Sequence, residues 1–241
     1  MRRAHYLLLL FIQAGAGHAE TEPPPETVSH YFTSLWDQHL EPTFEDGFDR
    51  TGYTILAVGA ACTLVSNNQD HWVRREWRGE QKVSRDVTRF GAVWGSGGPS
   101  LLIAGTLLYY DPQPGLAFSE AVALTSLTHY SLSRLSSRPR PGNPLIRTSF
   151  PSGHTANAWV MATSLTYSYG WKVGAPTYAA ALITMAARIA DDRHWLSDTV
   201  AAAALGAFWG RATAFHHGQD KLRIQPILSS ASLGMELAYE F

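Results

Sequence analysis

Apolar residues fall along this chain in blocks of helical length, separated by short runs of Gly, Pro and charge. The blocks at 51–68, 87–110, 116–135, 153–169, 175–190 and 195–214 predict six helices. In the third, Leu124, Leu127, Leu132 and Leu135 favour one face, as packing into a bundle requires. The period changes after residue 220. Leu233, Met235, Leu237, Tyr239 and Phe241 alternate with Gly234, Glu236, Ala238 and Glu240, and Ile224–Leu228 precedes them across a turn at Ser229–Ser232. This pattern predicts a hairpin packed on the helical body, since two strands cannot close a barrel. The expected fold is all-α: a six-helix bundle with a short C-terminal β-hairpin.

The N-terminus follows a different pattern. Arg2 and Arg3 precede the apolar run Tyr6–Ile12, and small residues lead to Gly17-His18-Ala19. This is the layout of a signal peptide cleaved after Ala19, and it predicts an exported protein facing the periplasm. Residues 20–50 then form an acidic, Pro-rich leader and an aromatic covering segment, 51–216 the helical domain, and 221–241 the hairpin. The apolar run Tyr6–Ile12 is too short to span a bilayer, and most of the later blocks fall short of the roughly 20 residues a span needs. The expectation is therefore a periplasm-facing bundle associated with a membrane surface, in preference to a six-span protein.

Composition narrows the function classes. A net charge of -1 over 241 residues gives no electrostatic footprint for nucleic acid. The single cysteine, Cys62, excludes an intramolecular disulfide and a Cys-rich metal site, and its apolar surroundings predict a small buried hydrophobe. No metal-binding or cofactor motif is present: His71 in a charged loop and His216-His217 at a helix end have no partners at ligand spacing. Oligomeric state leaves no trace in the sequence.

Three polar clusters sit at predicted helix ends. Arg138-Pro139-Arg140-Pro141-Gly142 puts two guanidiniums on a Pro-stiffened loop, a planar fork suited to phosphate oxygens. Pro151-Ser152-Gly153-His154 opens the fourth helix with outward-pointing N–H groups at the positive end of the helix dipole. In Arg188 to Asp198, His194 and Asp198 stand four apart and share a helical face, so the carboxylate can bond one ring nitrogen and leave the other to attack. Taken singly, these also read as a solvated loop, a helix cap and a surface His–Asp pair. Taken in order, they point to one tetrahedral oxyanion.

These blocks resemble the type 2 phosphatidic acid phosphatase / vanadium haloperoxidase superfamily. Its pattern is Lys, six residues, Arg-Pro; then Pro-Ser-Gly-His; then Ser-Arg, five residues, His, three residues, Asp. Pro151–His154 is present whole, and Arg188, His194 and Asp198 keep the spacing, with Ala187 where Ser is usual. Arg140-Pro141 ends the first block, but Ser133 stands where the family has Lys, and the adjacent Arg134 is the nearest substitute charge. The resemblance implies a metal-independent, cofactor-free phosphatase acting on a phosphomonoester, foremost a lipid phosphate, at a membrane surface. His194 would be the nucleophile, Asp198 its orienting group and His154 the general acid. Arg140, Arg188, Ser152 and Gly153 would hold phosphate, with Ser133, Arg134 and Arg138 as further contributors. The alternatives are a vanadium-dependent haloperoxidase, which the resemblance also covers, and an envelope scaffold of weak catalytic power.

Overall fold

The computed structural model describes residues 33, 36–77, 83–218, 222–228 and 233–239. The expected signal peptide, the Ser229–Ser232 turn and the terminal Phe241 lie outside them. The chain divides into two compact units, residues 1–42 and 43–241. In the first, Trp36–Leu40 forms a π-helical turn. The α-helices are α1 (Glu41–Gly47), α2 (Arg50–Trp77), α3 (Arg85–Trp94), α4 (Gly97–Tyr110), α5 (Pro112–Ser136), α6 (Gly153–Tyr169), α7 (Trp171–Ala190) and α8 (Leu196–His216). Two extended segments follow, β1 (Leu222–Leu228) and β2 (Leu233–Tyr239), paired antiparallel with Leu222 opposite Tyr239.

The body up to His216 is all-helical as expected, but eight α-helices stand among the described residues where periodicity predicts six. One addition to the six is α1, which lies in the covering segment 27–50, where a short helix and a loop are expected. The other is a break in the block 87–110 at Gly95-Ser96, where Gly95 caps α3 and Ser96 enters α4 with extended backbone. The Asn157 amide fixes the break by donating to the Gly95 and Ser96 carbonyls at 3.3 and 2.7 Å. In addition, α2 runs nine residues past its expected end at 68, so His71 is helical and not in a loop.

The centre of the body is α6, packed between α7, α8 and α5, while α2 lies on α8, α3 on α7 and α4 on α5. Ser152 begins α6 by accepting from the Thr155 amide, and Gly170, at φ 78°, ends it. Small residues allow α8 to approach closely. A methyl on Gly206 would sit 2.6 Å from the Ala156 carbonyl oxygen, and one on Gly210 would sit 2.8 Å from Thr163 Cβ. The core is Phe118, Ala158, Met161, Ala162, Leu165 and Ala181.

The outer helices turn much apolar surface outward. The expected packed stripe on α5 holds for Leu124, which is buried, whereas Leu127 and Leu135 are 64% and 82% exposed. Cys62 is likewise exposed, not buried, because it lies on the outward face of α2 beside Leu64 and Val65. Among the described residues one helix, Trp171–Ala190, is long and apolar enough to cross a membrane, and only 28% of its apolar window is buried.

Candidate active site

All three clusters meet at one end of the body. Ser133 and Arg134 close α5, Arg140 rides on the 137–152 loop, Gly153 and His154 open α6, and His194 precedes α8; together they line one cavity of about 290 Å³. His129, Tyr130 and Thr148 complete its wall and carry no family-block signal in the sequence.

Backbone bonds hold the two site loops. The Arg140 amide donates to Ile146 O, Ser149 to Arg138 O, and Ser152 to Asp198 O, each at 3.0 Å. The Gly142 amide donates to Asp192 O at 2.9 Å, tying the first loop to the second. Asp192 adopts φ 55°, a conformation Asp tolerates better than most residues. Its carboxylate receives a two-pronged ion pair from Arg74 of α2 at 2.8 and 2.9 Å.

His194 is buried, and its Nδ1 lies 2.8 Å from the Ser149 carbonyl oxygen. A carbonyl only accepts, so Nδ1 carries the proton and Nε2 of the neutral ring is the free lone pair. This corrects the expectation that Asp198 bonds the ring directly. The Asp198 carboxylate stands 3.8 Å from Nδ1, because its oxygens are taken by Arg138 (2.6 Å), the Ser149 hydroxyl (2.5 Å) and the Trp195 amide (2.9 Å). It stands beside the imidazole and holds the Ser149 hydroxyl.

Two further expected phosphate contacts are placed elsewhere. Ser152 is fully buried and absent from the cavity wall; its hydroxyl accepts from Thr155 Oγ1 at 3.1 Å in the cap of α6. Arg138 turns away from the cavity into a network with Asp70, Asn67, Ser197 and Asp198. Trp195 packs beside it, donating to Pro139 O at 3.0 Å.

Of the remaining expected cations, Arg140 and Arg134 line the cavity and Arg188 does not. Arg140 lines the cavity with its Nε buried and unpartnered, and burial followed by the charge of Arg193 lowers its proton affinity. A guanidinium stays charged nonetheless, so it is a cation suited to an anion. Arg188 is buried behind the wall, with one nitrogen on Asp191 at 2.8 Å and Nε unpartnered. Burial, then the charges of Arg188, His194, Arg140 and His129, hold the His154 imidazole down to about 4. Burial and then His194 lower His129 as well. Arg134 stacks over the Tyr130 ring at 5.0 Å on the rim. A buried imidazole with a free Nε2, a second imidazole and guanidiniums around one small cavity can hold an oxyanion and move a proton.

A second groove of about 450 Å³ shares His129, Gly153 and His154 with this cavity and is otherwise lined by Gly95, Ser96, Gly97, Ser100, Ser126 and Asn157 together with Leu101 and Val122. Among the described residues no group of three or more His, Cys, Asp or Glu is placed to hold a metal ion.

The PAP2 superfamily model matches residues 114–219. The chain is 42% identical over 67 residues to the lipid A 1-phosphatase of Porphyromonas gingivalis, a stretch covering 26% of this chain and 15% of that protein. Its structure is similar to that of LpxE from Aquifex aeolicus, with TM-score 0.54 and 22% identity over 61% of this chain and 94% of the other, a likeness of fold. A PAP2-type phosphatidylglycerolphosphate phosphatase from Bacillus subtilis aligns at TM-score 0.44 and 19% identity, over 76% of this chain and 94% of the other.

Proposed function

Because residues 114–219 belong to the PAP2 superfamily, we propose that the protein is a phosphatase that cleaves a lipid phosphate through a phosphohistidine at His194. The observation that carries this reading is the fixed tautomer of His194, whose unprotonated Nε2 belongs to a ring that lines the same cavity as His154 and Arg140. Nε2 attacks phosphorus while the bond from phosphorus to the leaving oxygen breaks. Protonated His154 delivers its proton to that oxygen. Neutral His154 then takes a proton from water, whose oxygen attacks phosphorus, and the P–N bond breaks to release phosphate. Arg140, the Gly153 amide and the charge of Arg188 stabilise the oxygens of the transferring group. Arg134 serves in place of the Lys that Ser133 replaces.

The leaving group occupies the adjoining groove, with His154 at the junction. Its Gly, Ser and Asn lining suits a hydroxyl-bearing head group, and Leu101 and Val122 in the same lining suit the start of an acyl chain. A phosphorylated glycolipid of the lipid A type is the first substrate to test.

The apolar flank lies against lipid. Leu64, Leu101, Leu102, Leu127 and Leu182 are each more than half exposed, and Tyr109, Tyr110 and Trp171 are exposed at helix ends, where amphipathic rings suit a membrane interface. The protein thus works in the cell envelope, at a membrane.

The test is phosphate release from lipid A, phosphatidic acid and phosphatidylglycerophosphate in mixed micelles, with and without chelator. The reading predicts chelator-insensitive release that falls at least about 10³-fold in His194→Ala. Unchanged release by that variant would overturn it.

A further inference from the structure

Asp70 lies on α2, outside the matched family region, yet it is 2% exposed and heads a continuous polar chain to the nucleophile. Asp70 Oδ2 accepts from Arg138 at 2.6 Å and from the Ser197 hydroxyl at 2.6 Å, and Oδ1 accepts from the Ser197 amide at 2.9 Å. The other arm of Arg138 donates to Asp198 Oδ1 at 2.6 Å. Asp198 Oδ2 accepts from the Ser149 hydroxyl, and the Ser149 carbonyl accepts from His194 Nδ1. We propose that Asp70 and Arg138 are positioning residues for His194, setting both the place and the net charge of the group behind its ring.

The argument is one of charge. Asp198, 3.8 Å from Nδ1, stabilises the cationic ring that forms when Nε2 bonds phosphorus. Arg138, paired to it at 2.6 Å, cancels that effect if it stands alone. The second carboxylate restores one net negative charge: Asp70 and Asp198 against Arg138. Burial keeps the coupling strong, since Asp70 and Asp198 side chains are 2% and 0% exposed. The geometry is cooperative too, because Ser197 accepts from Arg138 at 2.8 Å while donating to Asp70.

This inference rests on His194 being the nucleophile, and its test separates the two. Other charged or titratable groups share the cavity with His194 or lie next to it: His129, Tyr130 and Arg134 from α5, His154 from α6, Arg140 from its loop, Arg188 of α7 acting on His154, and neighbouring Arg193. All are constant across the following set. The single-turnover rate with para-nitrophenyl phosphate is measured against pH for Asp70→Asn, Arg138→Gln, the double variant and Arg138→Lys, with thermal unfolding of each. Asp70→Asn leaves a neutral pair behind the ring and moves the acidic limb down by about one pH unit; Arg138→Gln leaves two carboxylates and moves it up by about as much. Both slow phosphoryl transfer roughly tenfold or more. The double variant, again at one net negative charge, returns the limb to its original position, and Arg138→Lys never moves it.

Shifts of the same sign, or slowed rates with unmoved limbs, overturn the proposal and reduce the network to scaffolding. If one single variant fails to fold, the other decides: its limb moves in the stated direction while those of the double variant and Arg138→Lys stay in place, and a limb that stays with them overturns the proposal. If His194→Ala still turns over, the nucleophile assignment itself fails. If that variant is inactive and the limbs stand still, only the role of Asp70 and Arg138 fails.

Discussion

At the scale of single residues, the decisive feature is which atoms are already committed. His194 has given Nδ1 to a carbonyl, and burial first, then the charge of Arg188 and its neighbours, holds His154 near 4. His154 is therefore neutral in the free protein at neutral pH, ready to act as a base. To act as an acid it must gain a proton, and an anion in the cavity supplies a negative charge that offsets both the burial and the neighbouring cations that keep the proton off. Between about pH 5 and 6, binding of sulfate, which stays a dianion there, should take up close to one proton per site. Calorimetry in two buffers of different ionisation enthalpy measures that uptake, and His154→Asn should remove it; sulfate binding with no proton uptake would contradict the assignment.

Ser133 supplies a second residue-level prediction. It is buried on the cavity wall where the family carries Lys. Ser133→Lys should tighten vanadate or phosphate binding by about tenfold, the value of one charge-assisted hydrogen bond. Arg134→Ala should weaken it, and unchanged affinity in both would mean that neither position meets the anion.

The residues legible in the sequence are those in blocks of fixed spacing: Arg140, Gly153, His154 and His194. Thr148, Ser149 and Asp70 are not, because Ser149 acts through a main-chain carbonyl and Asp70 arrives from a helix about 70 residues earlier. His129 is hidden for the same reason: only the fold brings α5 against Gly153, where an added methyl would sit 2.7 Å from its Nε2.

At the scale of elements, the close approach of α6 and α8 holds the end of α6 that carries Gly153 and His154. Gly206 faces backbone atoms that cannot give way: a methyl there would meet the Ala156 oxygen at 2.6 Å and the Val160 nitrogen at 2.7 Å, whereas Gly105 in α4 has open space. Gly206→Ala should destabilise by about 1–3 kcal/mol through overpacking. Gly105→Ala should stabilise by about 0.5–1 kcal/mol, since the helix loses nothing and the unfolded chain loses freedom. Thermal unfolding of the two variants reads the opposite signs directly. The pattern of apolar blocks locates the long helices α5 to α8 but merges α3 with α4. A Gly-Ser break carries little pattern of its own, and here a tertiary bond from Asn157 fixes it.

At the scale of the whole molecule, sequence periodicity identifies apolar faces but not what they face. Leu127 and Leu135 belong to a helical stripe, yet the structure turns them outward together with Leu64, Leu101 and Leu182. Such a surface accounts for an apolar chain with a mean hydropathy of only -0.11: loops and site are polar, and the flank is not. The protein should float with liposomes in a density gradient, and paired Leu102→Glu, Leu127→Glu substitution should reduce that association while para-nitrophenyl phosphate hydrolysis persists. Equal flotation of both forms would place lipid contact elsewhere.

The whole account converges on a covalent bond between phosphorus and Nε2 of His194. Quenching His154→Ala during turnover in alkaline conditions, which preserve phosphohistidine, and mapping the phosphate by mass spectrometry tests it most directly. The account predicts phosphate on the peptide containing His194 and none in the His154→Ala, His194→Ala double variant. Phosphate on another residue, or undiminished turnover with no phosphorylated His194, would contradict it.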